Sequence, residues 1–125
     1  MTTYISILPS GSRLNKNDDV VSPTGRYQLR FQDDGNLVFA DRDVPPGGPA
    51  LWDSGTAGRP GEYCILQGDD GNLVMVGPFG AVWDLGTSGN PGAYLAVQDD
   101  GNHLVLYQPN PIPVWDMTQG RGFIK

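Results

Sequence analysis

Three stretches of this 125-residue chain carry the same side chains at closely similar spacing. The first reads Gln32-Asp-Asp34-Gly-Asn36-Leu-Val38, and the second Gln67-Gly-Asp-Asp70-Gly-Asn72-Leu-Val74. The third reads Gln98-Asp-Asp100-Gly-Asn102-His-Leu-Val105-Leu-Tyr107. An ionised Asp only accepts hydrogen bonds, and an Asn or Gln amide supplies a donor beside it. Val adds a small apolar surface, and a Tyr hydroxyl can close the far side. Such a set suits a neutral ligand with several hydroxyl groups, each of which both donates and accepts. Alternate residues of extended chain point one way, and Asp-Gly is a strong hairpin signal. Gln, Asp, Asn and Val therefore converge either along a strand or across a turn.

The elements that hold these residues repeat with them. Tyr27, Tyr63 and Tyr94 each stand eleven residues before Val38, Val74 and Val105, and Trp52, Trp83 and Trp115 follow at nearly equal intervals. Tyr27-x-Leu29-x-Phe31 alternates as a half-buried strand does, and so does Leu37-x-Phe39 with Val38 and Ala40 on the other face. Gly (18) and Pro (11) together approach a quarter of the chain, and the longest run free of both spans only Ser12 to Ser22. Helical bundles and α/β folds are excluded, and an all-β fold is expected. Units of this size cannot bury a face alone. They are expected to pack around a shared axis, with one Trp from each unit in the core.

Composition removes several classes of function. Lys and Arg total 8 against 14 Asp and Glu, a formal net charge of −6, so no basic surface for nucleic acid or for a membrane is expected. No apolar run approaches ~18 residues, so no membrane insertion is expected. The N-terminal Met1-to-Pro9 stretch has no signal-peptide pattern, and the single Cys64 cannot form an internal disulfide. A cytoplasmic or non-classically secreted protein is expected, with Cys64 an inert packing residue. The Asp pairs at 33/34, 69/70 and 99/100 point apart on extended chain, Glu62 is the one Glu, and a threefold site does not describe a single catalytic centre. No enzyme is expected. An acidic calcium loop ends in a bidentate Glu and none follows, so no metal or other cofactor is expected either. The lone His103 carries no catalytic or metal expectation.

With Gln-x-Asp-x-Asn-x-Val in copy one and one-residue variants of it in the two tandem copies that follow, the chain from about Ile7 to Trp115 resembles the monocot mannose-binding lectins of the snowdrop type, the B-lectin family. The resemblance implies a type II β-prism of three four-stranded antiparallel sheets with pseudo-threefold symmetry. It implies a single domain over 1–125, built of repeats at about 7–52, 53–83 and 84–116 plus a C-terminal strand. It also implies binding of mannose and mannose-containing glycans or glycoproteins without metal. By resemblance, Asp and Asn would hold the axial O2 of mannose, Gln O3 and Tyr O4. A homodimer through exchange of the C-terminal strand, Arg121 to Lys125, is expected on the same ground. The lack of a signal peptide and of a disulfide looks more like fungal or bacterial relatives.

The copies depart from the family pattern in different ways. Copy one keeps Gln32, Asp34, Asn36 and Val38, with Ala40 in place of Tyr. Copy two keeps Asp70, Asn72 and Val74, with Gln67 one residue early and Val76 in place of Tyr. Copy three keeps Val105 and Tyr107, but Gln98, Asp100 and Asn102 lie one residue early and His103 is added. A one-residue slip turns side chains to the other face unless a bulge absorbs it. The sites are therefore ranked one, three, two. The alternative is a structural or protein-interaction prism whose sugar sites have degenerated.

Overall fold

The computed structural model describes residues 1–43 and 50–119, and the backbone of 123–124. Among these residues there are strands and no helix, hence none long and apolar enough to cross a membrane. Four short strands come first: β1 (Thr3–Ile5), β2 (Ile7–Leu8), β3 (Arg13–Asn15) and β4 (Asp19–Val21). Three sets of three follow. They are β5 (Tyr27–Phe31), β6 (Leu37–Asp41) and β7 (Ala50–Asp53); β8 (Tyr63–Leu66), β9 (Leu73–Gly77) and β10 (Gly80–Asp84); and β11 (Tyr94–Val97), β12 (Leu104–Tyr107) and β13 (Pro113–Asp116). β14 (Phe123–Ile124) ends the series.

Each set of three forms an antiparallel sheet, and each sheet takes one further strand from the N-terminal segment. β4 joins β5-β6-β7, β3 joins β8-β9-β10, and β2 joins β11-β12-β13. The N-terminal chain thus visits the third sheet, then the second, then the first. The first sheet carries two strands beyond the expected four. β14 covers the edge of β7, and β1 lies parallel to β4 on the opposite edge. A parallel pair needs a long crossover, and the excursion through β2 and β3 supplies it.

Alternation decides which side chains meet at the centre. From the first sheet Leu29, Phe31, Leu37 and Phe39 point inward and are fully buried. Leu66, Leu73 and Met75 do the same in the second sheet, and Leu95, Val97, Leu104 and Leu106 in the third. Leu8, Leu14 and Val20 add one residue each from β2, β3 and β4. Fully burying side chains of this size stabilises by ~1.5–3 kcal/mol each. Trp52 lies edge-on to Trp83 at 6.3 Å and to Trp115 at 5.7 Å, which joins the three sheets where they converge. Cys64 is free and buried, and burial pushes its thiol pKa up.

Candidate functional site

The repeated stretches form the hairpin loops between the first two strands of each set. In copy one, Gln32 N donates to Asn36 O at 2.9 Å across the loop Asp33-Asp34-Gly35. Asp34 Oδ1 accepts from Asn36 N at 2.9 Å, which fixes the turn. The Asn36 carboxamide oxygen is also occupied, accepting from Ser54 Oγ at 3.0 Å and Thr56 N at 3.2 Å. Its Nδ2 makes no hydrogen bond among the described residues and is left as a donor. Copy two repeats the arrangement. Asn72 N donates to Asp70 Oδ1 at 2.9 Å, and Asn72 Oδ1 accepts from Gly86 N at 3.1 Å and Thr87 N at 3.0 Å. The Gln67 carboxamide, with its nitrogen toward Asp70, donates to both carboxylate oxygens at 3.0 and 3.1 Å. Copies one and two thus present an oriented amide donor beside a carboxylate.

The turn glycines show how tightly these loops are held. Gly35 and Gly71 have positive φ, and a Cβ on them would lie 2.5 Å from Arg59 O and 2.0 Å from Asn90 O. Only glycine allows the following loop to approach so closely. Gly101, the corresponding residue of copy three, also has positive φ but has nothing within 4 Å of that position.

Copy three is built differently. Gln98 N closes the loop on His103 O at 2.7 Å, so His103 stands where Asn36 and Asn72 stand. Its positive φ of 64° takes up the added residue. The His103 ring turns away to stack on Tyr27 at 4.2 Å, with Nδ1 at 3.0 Å from Gln98 O. Asn102 is exposed and donates to Asp116 Oδ2 at 3.0 Å, so it does not take the position of the other two asparagines. Gln98 Nε2 donates to the Tyr107 hydroxyl at 2.8 Å, and a depression of about 570 Å³ opens beside them, with Asp100 on its rim. Val105 lies in this face and is buried, as Val74 is in copy two, whereas Val38 is half-buried.

The parity of the strands also departs from a simple threefold reading. Gln32 comes five residues after Tyr27, but Gln67 and Gln98 come four after Tyr63 and Tyr94. In copies two and three a four-residue loop restores the count, so Val74 and Val105 still face outward. The preceding tyrosines differ in consequence. Tyr27 points inward, buried and aligned with Phe39, while Tyr63 and Tyr94 lie on the outer face opposite Val76 and Tyr107. Tyr63 lies under Arg13, at 4.6 Å from the guanidinium to the ring centroid. Gln28 takes the same place in copy one, opposite Ala40, and donates to Asp19 Oδ2 at 2.7 Å. Arg30 pairs with the same oxygen at 2.9 Å. Burial pushes the Asp19 carboxyl up. Hydrogen bonds from Thr3, Arg30 and Gln28, with the Arg30 charge, outweigh it and hold the group below the usual carboxylate range. The outward placing of Tyr63 and Tyr94 is legible in the sequence only through the four-residue spacing to Gln67 and Gln98.

No protein-family model and no curated protein sequence matches the chain. Solved structures do. A lectin of Marasmius oreades is 31% identical with a TM-score of 0.76, over 91% of this chain and 92% of its own. Monomeric monocot mannose-binding lectins from Gastrodia elata are 29% identical with a TM-score of 0.72, over 90% and 96%. A Polygonatum cyrtonema lectin complexed with monomannoside is 28% identical with a TM-score of 0.67, over 92% and 97%. With the three-sheet fold, the repeated loops and these likenesses together, the chain belongs to the monocot mannose-binding, snowdrop-type lectin family.

Proposed function

We propose that this protein is a lectin that binds mannose and mannose-containing glycans or glycoproteins, without metal and without catalysis. The observation that carries the reading is the fixed carboxamide of Asn36 and Asn72, whose oxygen is taken up by the protein while Nδ2 makes no hydrogen bond among the described residues and the loop carboxylate of Asp34 or Asp70 lies two residues before it. A hydroxyl that bridges the two groups is both donor and acceptor, as a sugar hydroxyl must be. The site residues are Gln32, Asp34, Asn36 and Val38; Gln67, Asp70, Asn72 and Val74; and Gln98, Asp100, Val105 and Tyr107, with Asn102 at the loop edge. The mannose-binding lectins to which the chain is similar support the choice of sugar. A glycan array with and without EDTA tests the reading. Mannose-terminated glycans are expected to bind equally in both. Loss on chelation, restored by calcium, would replace it with a metal-dependent site.

A second reading has its own observation. Ala40 and Val76 leave two copies without the family's Tyr, and His103 takes the Asn position in the other. A prism used for structural or protein contacts, with degenerate sugar sites, is then the function, and an array without any mannose signal favours it. We also read the chain as one domain of three repeats that forms a homodimer by exchanging β14. Among the described residues the edge of β7 is covered by two residue pairs, Phe123↔Asp53 and Ile124↔Trp52, which a second copy can supply equally well. Several weak sites on one assembly would then gain avidity on a glycan surface. The free Cys64 supports a cytoplasmic or non-classically secreted location.

A further inference from the structure

Copies one and two are braced from the segment that follows each hairpin. Thr56 and Thr87 each stand four residues after the tryptophan of their copy. Their Oγ1 atoms donate to Gly35 O at 2.6 Å and Gly71 O at 2.8 Å, and their N atoms to the carboxamides of Asn36 and Asn72. Copy three has Gln119 at that position, exposed, and Thr118 before it turns its N and its hydroxyl back to Asp116 Oδ1. The segment meets the loop through Asn102 on Asp116, and Asn102 is exposed as well.

Support for copy three arrives instead from the turn between β4 and β5, in the first repeat. That turn is itself closed. Ser22 N donates to Tyr27 O at 2.9 Å, Gly25 N to Ser22 O at 2.8 Å, and Tyr27 N to Ser22 Oγ at 3.0 Å. From it Thr24 donates its N, at 3.1 Å, and its hydroxyl to the carboxylate of Asp99, the residue after Gln98. Hydrogen bonds from Ser22 and Thr24 hold that carboxyl below its ordinary range. Tyr27, at the start of β5, carries the His103 ring on its face at 4.2 Å. The Gln98 carbonyl can only accept, so the His103 Nδ1 that meets it at 3.0 Å carries a proton and donates. His103 O in turn accepts from Gln98 N at 2.7 Å. His103 thus grips Gln98 by its N–H and by its carbonyl, while Gln98 Nε2 reaches the Tyr107 hydroxyl at 2.8 Å. Copy one has a comparable contact, Asn17 Nδ2 on Asp33 Oδ1 at 2.9 Å, but there it adds to the Thr56 brace. In copy three it stands in for that brace.

We propose that Thr24 and Tyr27 of the first repeat are positioning residues for the sugar site of copy three, acting through Asp99 and His103 on Gln98. The proposal rests on the lectin reading above and concerns how one site is held, not which sugar it takes. Neither residue lines the depression beside Gln98 and Tyr107, so neither is placed to touch a ligand there. Both belong to the repeat whose own loop is copy one, so a disturbance confined to their own sheet would fall on Asn36 first. A donor held in place before the ligand arrives loses less freedom on binding, which is what the grip on Gln98 provides.

Site-resolved NMR titration of the whole chain with methyl α-mannoside tests this, with Gln98 and Tyr107 reporting copy three, Asn36 copy one and Asn72 copy two. Thr24→Val deletes the hydroxyl donor in an exposed turn, and His103→Ala deletes the grip on the Gln98 carbonyl. Each should weaken copy three about three- to tenfold, the worth of one hydrogen bond, while copies one and two bind as in the parent. Thr24→Ser keeps the hydroxyl and should restore the parent affinity. Tyr27→Leu removes the ring under His103 and should weaken copy three likewise, and Thr24→Val carries the test should the Leu variant fold poorly. Weakening spread evenly over the three copies would show a general loss of structure and overturn the proposal. So would a copy three that binds equally in the parent and the variants, or one that binds no sugar while copies one and two do. The lectin reading survives each of these results. If no signal of any copy moves in the parent, the lectin reading falls and the proposal with it.

Discussion

Replacing Asn36 separates two duties of one carboxamide. Its oxygen braces the hairpin against Ser54 and Thr56, and its nitrogen is the proposed sugar donor. Asn36→Ala removes both. Thr56 is fully buried, so its backbone N loses its acceptor with no water to replace it. Leaving one such donor unpaired costs ~1–3 kcal/mol. Ser54 Oγ is less affected, since it also lies 2.7 Å from Thr56 Oγ1 and its proton can turn there. The expected loss of stability is therefore ~1–3 kcal/mol, several degrees in Tm for a domain of this size. Asn36→Asp keeps an acceptor at the same place and deletes only the donor. Its cost should stay under ~1 kcal/mol, since the nearby Asp34 is exposed and its repulsion is screened. Both variants should lose mannose binding at copy one to a similar extent, ~0.5–1.5 kcal/mol for the missing hydrogen bond. Asn102→Ala is the control, because that residue is exposed and holds only Asp116. Its Tm should hardly move. Thermal melting and titration calorimetry on the same preparations measure the two duties separately. An Asn36→Asp melting point as low as that of Asn36→Ala would refute the brace, and so would an Asn36→Ala protein that melts like the parent.

Other expectations follow from the same geometry. Gly71→Ala should cost roughly 3 kcal/mol or more and Gly101→Ala only ~1, because both add strain at positive φ but only the first drives a methyl into Asn90 O. Equal denaturation midpoints for the two would contradict the close approach. Asp19 has a folded pKa below its ordinary 3.8, so its contribution to stability is full above that value and is lost as pH falls through the folded one. Asp19→Asn should accordingly flatten the acid limb of a stability–pH curve below about pH 4, and an unchanged slope would show that other carboxylates carry it. Deleting Gly122–Lys125 should weaken self-association while each site keeps its sugar affinity. Light scattering that finds a monomer before the deletion would end the strand-exchange idea.

The three hairpins were legible in the sequence because each has a strong alternation, an Asp-Gly turn and a Trp at a fixed interval. The N-terminal strands were not. β2 is two residues long and β1, β3 and β4 three each, too short to show a period, and their assignment to three different sheets depends on partners tens of residues away. β1 and β14 are additions to one sheet only, so no repeat could announce them. Of the candidate site residues, the loop Gln, Asp and Asn are legible by type and spacing. The braces from Ser54, Thr56 and Thr87 are not, since each belongs to the segment after its hairpin. Strand parity was present in the Tyr-to-Gln count and passed over in favour of the constant Tyr-to-Val count. His103 illustrates the reverse case. A backbone at positive φ absorbs the inserted residue locally, so the shift that the sequence suggests for the whole block ends within the loop.

The route of the first twenty-one residues has a consequence for how the molecule is made. They are synthesised before their partners: Ile7 finds its own only when Ala96 has appeared, while Leu14 waits for Cys64 and Val20 for Leu29. The hairpins can form as they emerge, but no sheet in the second or third position is complete until a strand from the far end of the chain is laid across it. Closure over such separations is slow and must be gained collectively. A single repeat cut from this chain would carry an unpaired edge and half a core. The symmetry that suggests three modules is, on the ribosome, one cooperative unit that locks only after its third hairpin has been made.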